Sequence, residues 1–209
     1  MRPTVHGPVR SARALTLGAF VIGGFAIAAV GSDARAGSSP AHVYRDGPPP
    51  AHTGGFGEPT CRYCHASYDV NEGPGDVTVH GVPPEFTPGH TYTLRIALRH
   101  KGLRIGGFQL SARFEDGAKP GNQAGGFVPL DTLVAVTEHE SILYAHHVRA
   151  GSFPAMPDSI QWSLAWTAPE QPIGSVVFHV AANAANDDNS EFEDLVYSAA
   201  VRARAGPGR

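Results

Sequence analysis

Thr91-Tyr92-Thr93-Leu94-Arg95-Ile96-Ala97-Leu98-Arg99 is the stretch whose reading decides the fold. Tyr92, Leu94, Ile96 and Leu98 fall on one side of a two-residue period, and Thr93, Arg95 and Arg99 fall on the other. That alternation predicts a strand with one buried face. The same period recurs outward from it. Phe108, Leu110, Ala112 and Phe114 alternate, as do Ile160, Trp162, Leu164 and Trp166, and then Val176, Phe178 and Val180. Shorter or weaker candidates lie at 76–81, 133–137 and 142–146, and 195–203 closes the set. Eight strands joined by Gly/Pro turns predict an all-β chain, an antiparallel β-sandwich with one buried face per sheet. No internal repeat and no long amphipathic helix interrupts the pattern.

Composition agrees. Of 209 residues, 42% are hydrophobic, so one domain with a real core is expected. Gly 25 and Pro 18 favour short strands over long helices. The formal net charge of -3 argues against nucleic acid as a partner, because that function needs a basic face.

The first 36 residues read as a signal peptide. Arg2, Arg10 and Arg13 precede the uncharged, mostly apolar run from Ala14 to Val30, and Ala34-Arg35-Ala36 is a small-residue cleavage sequence. The alternative is a retained anchor, for which the run is short against the ~20 residues of a membrane span. Cleavage removes four arginines and Asp33. The remainder carries 12 Lys+Arg against 18 Asp+Glu, a mildly acidic protein expected in the periplasm or secreted, with no stable membrane span. Residues 37–52, rich in Gly, Pro, Ser and His, read as a flexible linker. Residues 53–75 form the next segment, 76–203 the sandwich, and 204–209 a disordered tail.

Both cysteines of the chain lie in Cys61-Arg62-Tyr63-Cys64-His65. Cys-x-x-Cys-His is the sequence that attaches a c-type haem. Its two thiols can add to the two vinyl groups of one porphyrin, and the histidine that follows is placed to ligate the iron. Thr60 can cap a short helical turn there. A Cys61–Cys64 disulfide closes so small a loop that it contributes about 2 kcal/mol at best. A redox thiol pair would want a βαβ setting, and structural zinc four ligands. Haem c, covalent and one per chain, is the preferred reading. The disulfide or redox pair and a non-haem metal stay as alternatives.

Candidates for a second axial ligand are His147, Met156, His146 and His90, or the position is open. His147 and His146 are strand neighbours, so one of them faces the site. Tyr63, Phe56, Tyr68 and Trp162 are candidate walls for a porphyrin, although Trp162 and Trp166 read first as core. His42, His52, His100 and His139 read as surface imidazoles, and Asn186 to Asp194 as a solvated acidic loop. No nucleophile elbow, phosphate loop or dinucleotide fingerprint is present, so an electron carrier is favoured over an enzyme.

The blocks Thr53-Gly54-Gly55-Phe56-Gly57-Glu58-Pro59-Thr60, the Cys61–His65 motif, Phe86 to Tyr92, Gly107 to Ala112, Tyr144-Ala145-His146-His147, Trp162 to Pro169 and Gly174 to Asn186 together resemble the Reeler-type β-sandwich. They resemble more closely a bacterial branch in which a haem-type motif precedes the sandwich. The resemblance covers about 150 residues. It implies an exported Ig-like fold with a short haem-binding N-terminal segment, and it matches His147 to the histidine of the Tyr-x-x-His block. Bacterial members often end in an anchoring segment, which the terminal Arg202 to Arg209 does not resemble. Eukaryotic relatives without the motif act in adhesion or beside membrane cytochromes. Two functions are therefore expected in order: an exported monohaem c-type cytochrome passing electrons to other redox proteins, and a non-haem extracytoplasmic binding or adhesion module with a Cys61–Cys64 disulfide. The oligomeric state is not legible in the sequence.

Overall fold

The computed structural model describes Tyr44 and residues 46–206. The chain divides into units 1–36 and 37–209. The signal-peptide reading, with its cleavage sequence, and His42 lie outside the described residues.

Among the described residues of the second unit there are ten strands: β1 Asp76–His80, β2 Glu85–Phe86, β3 Thr91–Arg99, β4 Ile105–Phe114, β5 Gly126–Pro129, β6 Val134–His139, β7 Ile142–His147, β8 Ser159–Thr167, β9 Val176–Ala185 and β10 Leu195–Ala205. They form two sheets, one ordered β1-β3-β8-β5 and the other β2-β10-β9-β4-β7-β6. Every ladder is antiparallel except the two-residue pairing of β2 with β10. The fold is an all-β sandwich, as the alternation requires.

The inward rows of the strands make one core. Leu94, Ile96 and Leu98 of β3, Phe108 and Leu110 of β4, Trp162 and Trp166 of β8 and Phe178 of β9 are buried together. Trp162 lies 4.6 Å from Phe108 and Trp166 lies 4.8 Å from Phe178, between ring centroids. Both indole N–H groups are satisfied: Trp162 donates to the Gly151 carbonyl at 2.7 Å and Trp166 to that of Ala124 at 3.0 Å. A buried indole needs such a partner.

Two strands escape the expected eight. β2 is two residues long among prolines, and β5 carries Gly126 and Pro129. Neither is long enough to display a period, and both sit at sheet edges, where proline is tolerated. β10 runs two residues past the expected boundary at 203, because Arg204 and Ala205 pair with β2.

β4 is buried along almost its whole length, on both faces. Its inward residues are core. Its outward residues Gln109, Ser111 and Arg113 are covered by the segment that precedes β1. Among the described residues no helix is long and apolar enough to cross a membrane.

Candidate functional site

Each polar residue on the outer face of β4 grips the N-terminal segment. Gln109 accepts from the backbone N–H of His52 at 2.6 Å and donates to the Pro49 carbonyl at 3.0 Å. Ser111 Oγ lies 3.3 Å from Thr53 Oγ1. Arg113 pairs with Glu58, whose Oε1 also accepts from the Tyr144 hydroxyl at 2.6 Å. Glu58 Oε2 accepts from Thr53 Oγ1 at 2.6 Å. Burial, then the neighbouring Glu58 carboxylate, pushes the Tyr144 phenol up from its ordinary value. Phe56 covers the pair, 5.3 Å over the Arg113 guanidinium and edge-on to His179. Gly55 lies so close that a Cβ there would strike the His179 ring. A buried charge is tolerated only with partners, and Glu58 supplies them from the segment.

This latch delivers the cysteine motif to one end of the six-stranded sheet. Cys61–Tyr63 is a 3-10 turn, and Thr60 Oγ1 accepts from Arg62 N–H at 3.2 Å as its cap. The Cys64 and His65 N–H groups both donate to the Cys61 carbonyl, at 3.2 and 3.0 Å. The turn puts both thiols and the imidazole against one cleft of about 320 Å³. Cys61 and Cys64 are free thiols. Burial pushes the Cys61 thiol up to about 12.

His65 Nδ1 lies 2.7 Å from Asp194 Oδ2. Asn183 Nδ2 approaches both, at 3.3 Å from His65 Nδ1 and 3.2 Å from Asp194 Oδ2. Asp194, at the end of the loop before β10, is 1% exposed. His147, at the end of β7, lines the same cleft. Its Nδ1 sits 3.0 Å from the backbone nitrogen and 3.3 Å from the carbonyl of Phe108. Its ring lies where a Cβ on Gly107 would be, so only glycine leaves it room. Burial holds His147 down to about 4, so it is neutral at physiological pH, with Nδ1 accepting from the Phe108 N–H.

The remaining candidates go elsewhere. His146 has both ring nitrogens engaged, Nδ1 at 2.8 Å from the His147 carbonyl and Nε2 at 3.0 Å from Thr137 Oγ1. Met156 is 65% exposed and off the cleft wall, and His90 is exposed and stacks edge-on against Tyr92. The aromatic wall is also different from the expected one. Tyr63, Phe56 and Tyr68 are exposed, and Trp162 is core. Phe108, Tyr44, Pro48, Pro49 and Ile105 supply the apolar surface instead. His52 was expected on the surface. It lines the cleft, with Nδ1 3.1 and 2.9 Å from the carbonyls of Pro49 and Pro50. The acidic loop is not wholly solvated either: Asp187, Asn189, Ser190 and Glu191 form one rim of the cleft.

Among the described residues no three His, Cys, Asp or Glu side chains converge as a bare metal ion requires. The donors are spread around an apolar space instead, two thiols and a carboxylate-bound imidazole on one side and a neutral imidazole from β7. That set suits a group that brings its own ring nitrogens, binds thiols covalently and takes an imidazole on each face. The cleft size is within the ~300–1,000 Å³ of small-molecule and cofactor sites. Two thiols and imidazoles beside an apolar wall are the kinds of side chain a haem c would draw on.

The motif and His147, both candidates from the sequence, line one cleft. Asp194, Asn183, Gly107 and the Glu58–Arg113–Tyr144 latch were not, since each is defined by a partner far away in the chain.

No protein-family model matches this chain, and no curated protein matches it. Among solved structures it is similar to the reeler domain of human F-spondin, at 18% identity over 66% of this chain and 93% of that one, with a TM-score of 0.42. It is likewise similar to the Reelin-N domain of F-spondin, at 19% identity over 70% of this chain and 97% of that one, with a TM-score of 0.45. A cohesin module from a Clostridium perfringens family 33 glycoside hydrolase aligns at 11% identity over 63% and 98%, with a TM-score of 0.40. These likenesses concern the fold alone, and the sandwich rests on its own ladders.

Proposed function

We propose that this chain is an exported monohaem c-type cytochrome that passes electrons to other redox proteins in the periplasm or outside the cell. One observation carries the reading: Cys61, Cys64 and His65 share a cleft with His147, which is 82 positions after His65 in the chain. Cys61 and Cys64 are the attachment points. They would hold the group through thioethers, an addition of S–H across a vinyl double bond that would need no oxidant. His65 and His147 would be the iron's protein ligands. When bound, the haem supplies a one-electron iron couple. The apolar wall of Phe108, Ile105, Pro48 and Pro49 keeps water from the ring. The open mouth of the cleft, rimmed by the acidic loop, lets an electron partner approach.

The test is the mass of the mature protein made alongside haem-attachment machinery. A porphyrin adduct on the intact chain and a haem-stained band on a denaturing gel are expected, both abolished by replacing Cys61 and Cys64 with Ala. A mass equal to the polypeptide alone refutes the reading, and a mass lower by two hydrogens points to the disulfide-bearing binding module instead. His147→Ala is expected to remove the low-spin spectrum and make the Soret band respond to carbon monoxide. An unchanged spectrum takes His147 out of the site.

A further inference from the structure

Asp194 lies 129 positions from His65 in sequence, yet its Oδ2 is 2.7 Å from the His65 ring. The carboxylate is buried, and its other partners are donors: Asn183 Nδ2 at 3.2 Å and the Asn186 N–H at 3.3 Å to Oδ1. An ionised carboxylate only accepts. The His65 nitrogen that faces it must therefore carry the proton. With the proton on Nδ1, Asn183 Nδ2, 3.3 Å from that same nitrogen, has the carboxylate as its acceptor and makes no hydrogen bond to the ring. Its amide is turned so that Nδ2 meets the carboxylate, and its buried Oδ1 is left without a partner among the described residues. An orphaned buried acceptor is costly, so the carboxylate dictates the orientation.

We propose that Asp194 is the positioning residue of the proximal side, fixing the His65 proton on Nδ1, presenting Nε2 to the iron and holding the redox couple at low potential. This rests on the haem reading above. A carboxylate on the far nitrogen makes an imidazole a more basic ligand and fixes its tautomer. A buried negative charge beside the site also favours the more positive, ferric state. The two axial sides are thereby unequal. His147 Nδ1 meets only the neutral backbone of Phe108, whereas His65 meets a charge. His65 is the strong donor, and His147 is the ligand that yields first to an incoming molecule.

The test is a spectroelectrochemical titration of the haem-loaded chain and its Asp194→Asn and Asp194→Glu variants. Asp194→Asn is expected to shift the reduction equilibrium at least tenfold toward the ferrous form, which is about 59 mV upward for one electron. Asp194→Glu, which keeps the charge, is expected to stay nearer the parent. Nitrogen-15 NMR of the unsubstituted, haem-free chain gives a second reading that needs no variant: the proton is expected on His65 Nδ1. A loaded Asn variant titrating at the parental potential overturns this proposal alone, as does a His65 ring protonated only on Nε2. A chain that never carries porphyrin sinks the haem reading, and this one with it.

Discussion

Replacing Glu58 by Gln is the sharpest test of how the cysteine segment is held. The substitution keeps shape and removes one charge. Arg113, with a side chain 9% exposed, then stays buried with no counter-charge. Tyr144 and Thr53 lose the charged acceptor on which their hydroxyls converge. Breaking one side of a buried pair costs about 3–5 kcal/mol. For a domain of this size each kcal/mol lowers Tm by about 2–4 °C, so a fall on the order of 10 °C is expected. Arg113→Met alone should also destabilise, since Glu58 is then the uncompensated charge. The double variant Glu58→Gln/Arg113→Met should recover most of the loss, because removing both partners of a buried pair is often close to neutral. Urea unfolding of the four proteins closes the cycle, and limited proteolysis in residues 46–60 reads out whether the segment has lifted. A Glu58→Gln cost below about 1 kcal/mol refutes the latch as a buried pair, and so does a double variant whose loss equals the sum of the singles.

Further outcomes follow from the same geometry. Gly107→Val places methyl groups where the His147 ring lies. The loaded variant is expected to lose its low-spin spectrum as His147→Ala does, and a parental spectrum would show that the ring does not sit there in solution. His179 is held below its ordinary value by burial first and by Arg202 and Arg113 next, with Glu115 and Glu58 acting the other way. The unfolded chain then binds a proton that the folded chain resists. Stability from this group is present above the unfolded value of about 6.5 and is lost as pH falls from there through the lowered folded value. Urea midpoints at pH 7.5 and 5.5 should therefore diverge less in His179→Gln than in the parent, and equal divergence would remove His179 from the pH response.

The two-residue period exposed the long strands because one face of each is core, and β3 keeps its Arg95 and Arg99 in solvent as the pattern implies. The period was silent on β2 and β5, which are too short to show it. It misled at β4, where an alternating strand has no exposed face. Gln109, Ser111 and Arg113 look like solvent residues in sequence, and nothing local reveals that Pro49, Thr53 and Glu58 fold back to meet them. The site divides in the same way. Cys61, Cys64 and His65 stand out in sequence because the covalent attachment proposed for them demands fixed spacing along the chain. Asp194 is not, because a carboxylate that meets a histidine through space leaves no spacing rule. It stood at the end of an acidic run whose residues each look solvated, and its burial comes from the hairpin between β9 and β10 folding against the motif.

The double burial of β4 bears on what the cleft is for. One face of the strand carries Phe108, Leu110, Ala112 and Phe114 into a core completed by Trp162, Trp166 and Phe178. The other face is sealed by the latch, through groups that all belong to the protein. Among the described residues, Phe108 is the one large core side chain that also lines the cleft. The sandwich therefore owes its stability to contacts the cleft does not share, and filling the cleft is not what holds the sheets together. His65 is held by Asp194 and His147 by the Phe108 backbone. In the haem site proposed above, side chains fixed in advance would resist moving when the charge of what they hold changes, and small reorganisation is what a one-electron site needs.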